Sequence, residues 1–175
     1  HRVPQFTVDA HRAVGDFDVF GLSFSTELGY TNMLTALDLA GIPLHASDRG
    51  DDNPIVVAGG HAAFNPEPIS RFIDAAVLGD GEQAAVDISD CIAAFKAEGS
   101  PDGRAGLLAR LAELDGVYVP SFYDVDYLPD GRIHRVVPNR PEAPWRVAKR
   151  TVMDLDEWPY PKAPLVPLAE TVHER

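Results

Sequence analysis

Cysteine is almost absent from this chain: Cys91 is the only one in 175 residues. A single thiol excludes an internal disulfide and any cysteine-rich zinc or iron–sulfur site, because both need several thiolates brought together. The compartment it points to is the reducing cytoplasm. Long hydrophobic runs are lacking too, and the most apolar stretch, "PIVVAGG" at residues 54–60, falls far short of the ~20 residues a membrane-spanning helix needs. The opening "HRVPQFTVDAHR" has neither an apolar signal core nor an initiator methionine, and reads as the cut end of a piece from a longer protein. Positive charge is scarce, with 15 basic residues against 27 acidic ones and a net charge of −12. Such a chain does not supply the phosphate-neutralising surface that nucleic acid or an anionic membrane requires. The small basic group of Arg146, Lys149 and Arg150 reads as a solvated strand face. There is no G-x-S-x-G elbow, P-loop or H-E-x-x-H, so hydrolase and nucleoside-triphosphatase chemistries have no support.

What is present is ordinary globular composition, 45% hydrophobic and 24% charged. Residues 5–8 (QFTV) and 18–24 (DVFGLSF) read as short strands, the second apolar enough for a buried parallel sheet. A helix is expected between Leu28 and Ala40, with Tyr30, Met33, Leu34, Leu37 and Ala40 on one face and Gly41 and Pro43 as its stop. "IVVAGG" and "IDAAVLG" read as further strands. Residues 81–97 form a helix with Ala84, Ile88, Cys91, Ile92 and Phe95 facing inward, and 104–114 a shorter one lined by Leu107, Leu108, Leu111 and Leu114. The stretch 116–138 alternates and turns at "PDG" as a β-hairpin does. From Pro138 to Pro167 lie seven of the chain's 15 prolines, a density suited to an extended connector. The pattern predicts an open, doubly wound, mostly parallel α/β sheet of the Rossmann or flavodoxin kind, truncated at its start. A hairpin extension and a proline-rich tail complete it. Three regions are expected: an α/β domain at 1–99, a helix and hairpin at 100–137, and a connector at 138–175. A strand missing before His1 would leave an apolar sheet edge open to homo-oligomerisation.

In such a sheet, ligands bind outside the strands' C-terminal ends, and three glycine- or serine-bearing strand ends converge there. Ser23, Ser25 and Glu27 follow one strand, where Ser25 or Thr26 has the alternative role of capping the next helix. Gly59, Gly60 and His61 follow another, with His61 facing either a ligand or solvent. Gly79, Asp80, Gly81 and Glu82 follow the third. "GDGEQA" matches G-x-G-x-x-A, the dinucleotide fingerprint, but no strand ending in a ribose-gripping acid follows its helix. A tight strand-to-helix turn, with Asp80 and Glu82 favoured by the helix dipole, is the alternative. "DAHRAVG" at residues 9–15 approaches the D-x-H-x-x-G of a cobalamin loop, with its glycine one position late. A self-contained flavin- or nucleotide-binding module and a ligand-free interaction domain both remain open on these residues.

Taken together, "DFDVFGLSFSTELGY … DDNPIVVAGGHAAFNPEPISRFIDAAVLGDGE" resembles the cobalamin-binding-like N-terminal region of radical S-adenosylmethionine proteins, within the uncharacterised "Fe–S oxidoreductase" group. The resemblance covers residues 16–95 closely and continues loosely to "VHER" at the C-terminus. It implies an accessory domain that covers or positions the active site of a radical SAM barrel in cis. It also implies a parent enzyme with a 4Fe–4S cluster and S-adenosylmethionine, bound by a C-x-x-x-C-x-x-C that would follow this chain. A cobalamin tail would pass beside Gly59 and Gly60, with Ser23, Ser25 and the "GDGE" turn nearby. No catalytic residue and no metal ligand is expected within the chain itself.

Overall fold

The computed structural model describes residues 3–159; the last prolines of the connector, Pro161, Pro164 and Pro167, lie outside them. Four strands form the main sheet: β1 (Val19–Ser23), β2 (Ile55–Gly59), β3 (Ala75–Val77) and β4 (Val117–Tyr118), side by side in chain order. β1, β2 and β3 run parallel, and β4 pairs antiparallel with β3. The register sets Val19 opposite Ile55 and Ser23 opposite Gly59, so the first two strands end together.

The unbroken apolar runs are explained by cover on both faces. A strand's side chains alternate between faces, and in β2 each alternate set has its own core. Ile55 and Val57 pack with Ala75 and Val77 against α2 (Gly81–Ala97) and α3 (Gly103–Ala112). Val56 and Ala58 pack with Ala76 and Phe20 against α1 (Tyr30–Ala40) and the short 3-10 turns after β2. The helices therefore flank a mostly parallel sheet on both sides, as the α/β reading requires. α1 ends where expected, at Gly41 in the left-handed region (φ 70°), with Ile42 N–H donating to the Leu37 carbonyl.

Three local readings are corrected. Residues 5–8 are not a strand: a single bridge joins Phe6 to Ala13 around a tight turn. Neither Ser25 nor Thr26 caps through its side chain, because a 3-10 turn at Glu27–Gly29 leads into α1 instead. The region read as one hairpin holds β4, a 3-10 turn, and then the hairpin β5 (Tyr123–Tyr127) and β6 (Ile133–Pro138). Packing is continuous across residue 99, since α2, α3, Val119 and Phe122 share one core.

Two long-range devices hold these layers in place. Asp51, in the turn before β2, accepts from the Arg104 N–H (2.6 Å) and so caps α3 from a distance. Asp74, almost fully buried before β3, accepts through Oδ2 from Arg49 Nη1 (2.8 Å), Arg104 Nη2 (2.7 Å) and the Val56 N–H (2.8 Å). Arg49 spends its other donors on the carbonyls of Pro43, Leu44 and Phe72; Arg104 also donates through Nη1 and Nη2 to those of Gly50, Asn53 and Pro54, while its buried Nε has no partner. A buried carboxylate thus ties two loops, a helix and a strand together.

Candidate functional site

The three strand ends do lie along one edge, but much of the space beside their glycines is filled by the chain's own backbone. Beyond β1 the Phe24 N–H donates to the Gly59 carbonyl (2.8 Å), and the Phe24 carbonyl accepts from the Ala62 N–H (3.1 Å). Gly60, at φ 85°, makes this closure possible: a Cβ there would lie 2.5 Å from the Phe24 oxygen. Tyr30 locks the same corner. Its hydroxyl donates to the carbonyls of Ala62 (2.9 Å) and Asn65 (3.2 Å), and its ring meets Phe24 edge-on at 5.4 Å. Partial burial, with a smaller contribution from Glu27, pushes its hydroxyl pKa up.

The "GDGE" turn is closed from the other end of the chain. Gly79 forms a parallel bridge with Arg150, whose N–H donates to the Leu78 carbonyl (2.8 Å) and whose carbonyl accepts from the Asp80 N–H (3.3 Å). Gly79 sits at φ 111°, and a Cβ there would lie 2.6 Å from the Arg150 nitrogen. Asp80 is the N-cap residue of α2, yet its carboxylate accepts from the Val152 N–H (2.6 Å) rather than from the helix. The Arg150 side chain completes the clasp, donating to the Asp115 carbonyl and pairing with Asp87. Hydrogen bonds from Gln83 first, then Arg150, hold the Asp87 carboxyl below its usual pKa.

Ser23, Ser25, Glu27, His61, Asp80, Gly81 and Glu82 are exposed along the edge, and only Gly59 and Gly81 among its glycines have open space where a Cβ would stand. Among the polar residues stand two bare apolar side chains, Leu28 at 85% exposure and Phe64 at 50%. Between the end of β3 and the hairpin lies a cavity of about 350 Å³ walled by Tyr118, Tyr123, Leu78 and Trp145. The two tyrosine rings lie 4.8 Å apart, the Tyr123 hydroxyl donates to the Pro144 carbonyl (2.7 Å), and Trp145 is 79% exposed. Burial, then Glu67 and Tyr123, pushes the Tyr118 hydroxyl up to about 12.

The profile of the family described as "Radical SAM proteins, N-terminal" matches residues 1–120. The chain belongs to that family. No curated protein and no solved structure matched it. The matched region of this radical SAM N-terminal chain takes in the whole four-stranded sheet and stops at Pro120, before the hairpin.

Family membership brings a 4Fe–4S cluster and S-adenosylmethionine into view for the parent protein, and a further domain in cis. This radical SAM region has no ligands for a cluster, since Cys91 is its one thiol and lies part-buried on α2, where burial raises its pKa. Of the two glycines expected to flank a cobalamin tail, Gly60 has the position of its missing Cβ filled by the Phe24 backbone, whereas Gly59 has open space. In the GDGE turn the Arg150 backbone likewise fills the Cβ position of Gly79, while Gly81 has open space. Among the described residues no helix is long and apolar enough to cross a membrane, and no cluster of three or more potential metal ligands occurs.

Sequence reading missed the aromatic cavity, the Asp74 network and the Arg150 clasp. Asp74 had a signal, an acid leading directly into the apolar run "AAV". Arg150 had none, because its partner lies 71 positions earlier in the chain.

Proposed function

We propose that this chain is the accessory N-terminal domain of a radical SAM iron–sulfur enzyme. It seats the catalytic domain against its strand-end edge and aromatic cavity and helps cover the radical site. The observation that carries this reading is that three exposed apolar side chains, Trp145, Ile133 and Val136, line the aromatic cavity together. Exposed apolar groups gathered beside a cavity, rather than scattered, mark an interaction surface. Glycines clasped by the chain's own backbone suit a rigid docking face better than a ligand cleft.

On this reading the cluster and S-adenosylmethionine belong to the neighbouring domain. The 175-residue chain contributes shape, exclusion of water and support, and carries no catalytic residue. Any cobalamin would be held mainly by residues outside the chain, touching it at Gly59 and Ser23. The cytoplasm is the compartment proposed. Its β1 edge, paired on one side only among the described residues, is a second contact surface for self-association.

Anaerobic reconstitution with iron and sulfide tests the division of labour. The isolated chain is expected to gain no stoichiometric cluster absorbance, and the full-length protein is expected to gain it. A cluster on the isolated chain would overturn the proposal.

A further inference from the structure

At the opposite end of the sheet, where the parallel strands begin, lies a larger cavity of about 810 Å³. Three connections wall it. The segment after α1 brings His45, the turn before β3 brings Arg71, and the segment after β6 brings Arg140. Its floor is apolar, with Ile73, Leu108 and Pro120. The one carboxylate in the lining, Asp74, is consumed by Arg49 and Arg104, whose two charges exceed its own. Arg71 and Arg140 have no carboxylate partner among the described residues. This cavity therefore holds surplus positive charge in a chain whose net charge is −12.

Two of these side chains, Arg140 and His45, rest on aromatic rings. The Arg140 guanidinium lies over the Phe122 ring at 4.9 Å, and the His45 ring rests on Phe72 at 5.1 Å. The Arg71 carbonyl accepts from the Ala46 N–H (2.9 Å), which ties the two loops of the wall to each other. Side chains placed in advance lose less entropy on binding. Two free guanidiniums suit a dianion with several acceptor oxygens better than a monocarboxylate. The volume, within the range of about 300–1,000 Å³ common for small-molecule sites, leaves room for an organic body over the apolar floor.

We infer that this cavity binds a small organic phosphate ester, its phosphate between Arg71, Arg140 and His45 and its apolar body on Ile73, Leu108 and Pro120. The inference does not depend on the docking role, because it uses the other end of the sheet. Phenyl phosphate, inorganic phosphate and benzoate, each titrated into the chain by calorimetry, test it. Phenyl phosphate is expected to bind more tightly than either of the others. Arg71→Ala and Arg140→Ala are each expected to weaken it about tenfold, the scale of one charge-assisted hydrogen bond. Arg132→Ala, on the hairpin and paired with Asp130, is expected to leave it unchanged. Arg71 and Arg140 are exposed and donate no side-chain hydrogen bond among the described residues, so these variants keep the fold. Absence of phenyl phosphate binding at millimolar concentration, or equal binding by the double variant, would overturn the site. Equal affinity for benzoate would overturn the phosphate assignment, and equal affinity for inorganic phosphate would overturn the role of the apolar floor.

Discussion

The backbone of Arg150 stands where Gly79 would carry a side chain, with its nitrogen 2.6 Å and its carbonyl carbon 2.8 Å from that position. A glycine that looks made for a ligand is thus used to admit another part of the same chain. The consequence is testable at two glycines that differ in what closes them.

Gly79→Ala forces both a left-handed backbone and a clash with Arg150, but the segment around Arg150 can move away. The expected cost is local and bounded, about 1–3 kcal/mol for the strained backbone or the loss of the clasp, whichever is smaller. Hydrogen exchange should show faster exchange at the Arg150 and Val152 amides while the α1 amides stay protected.

Gly60→Ala meets the Phe24 carbonyl, and Phe24 is only 4% exposed, inside the α1 core. No free segment can relieve that clash. A fall in global stability larger than for Gly79→Ala is expected in urea unfolding; equal effects would show that the two closures are alike.

Asp74→Ala leaves the Arg49 and Arg104 guanidiniums buried without their carboxylate. Removing one partner of a buried pair costs about 3–5 kcal/mol, and most of that is expected here. Urea denaturation of the variant measures it, and a loss under about 1 kcal/mol would show that the backbone carbonyls around both arginines suffice.

Tyr118 sets an alkaline limit. Its hydroxyl is pushed up to about 12 by burial, against an unfolded value near 10. The unfolded chain therefore loses this proton first as pH rises. Stability from this group is fully present below pH ~10 and falls between about 10 and 12, by on the order of 2 kcal/mol. Tyr118→Phe should flatten that part of the stability–pH curve, measured by denaturation across the window.

The α/β architecture was legible because each strand and helix carries its own period. The continuous run "IVVA" needs cover on both faces and obtains it, and the Gly41 stop falls where α1 ends. The short N-terminal QFTV was not legible as a turn, since four residues of strand-like composition are decided by whether a neighbour pairs with them, and Phe6 finds only Ala13. At the candidate site, sequence placed the three glycine- or serine-bearing ends on one edge. It did not show what fills them. Contacts such as Gly79 with Arg150, or Asp74 with Arg49 and Arg104, join distant parts of the chain and leave no local pattern. Trp145 reads as one more residue in a proline-rich stretch until Tyr118 and Tyr123 are set beside it.

The docking face is the centre of the account, and hydrogen exchange on the full-length protein against the 175-residue chain tests it most directly. The account predicts slower exchange in the full-length protein around Leu28, Phe64 and the hairpin from Tyr123 to Pro138, with the His45 and Arg71 segments unchanged. Variants Leu28→Asp and Trp145→Ser should abolish that slowing while changing the chain's own stability by no more than about 0.5 kcal/mol. Identical exchange at those residues with and without the rest of the protein would contradict it.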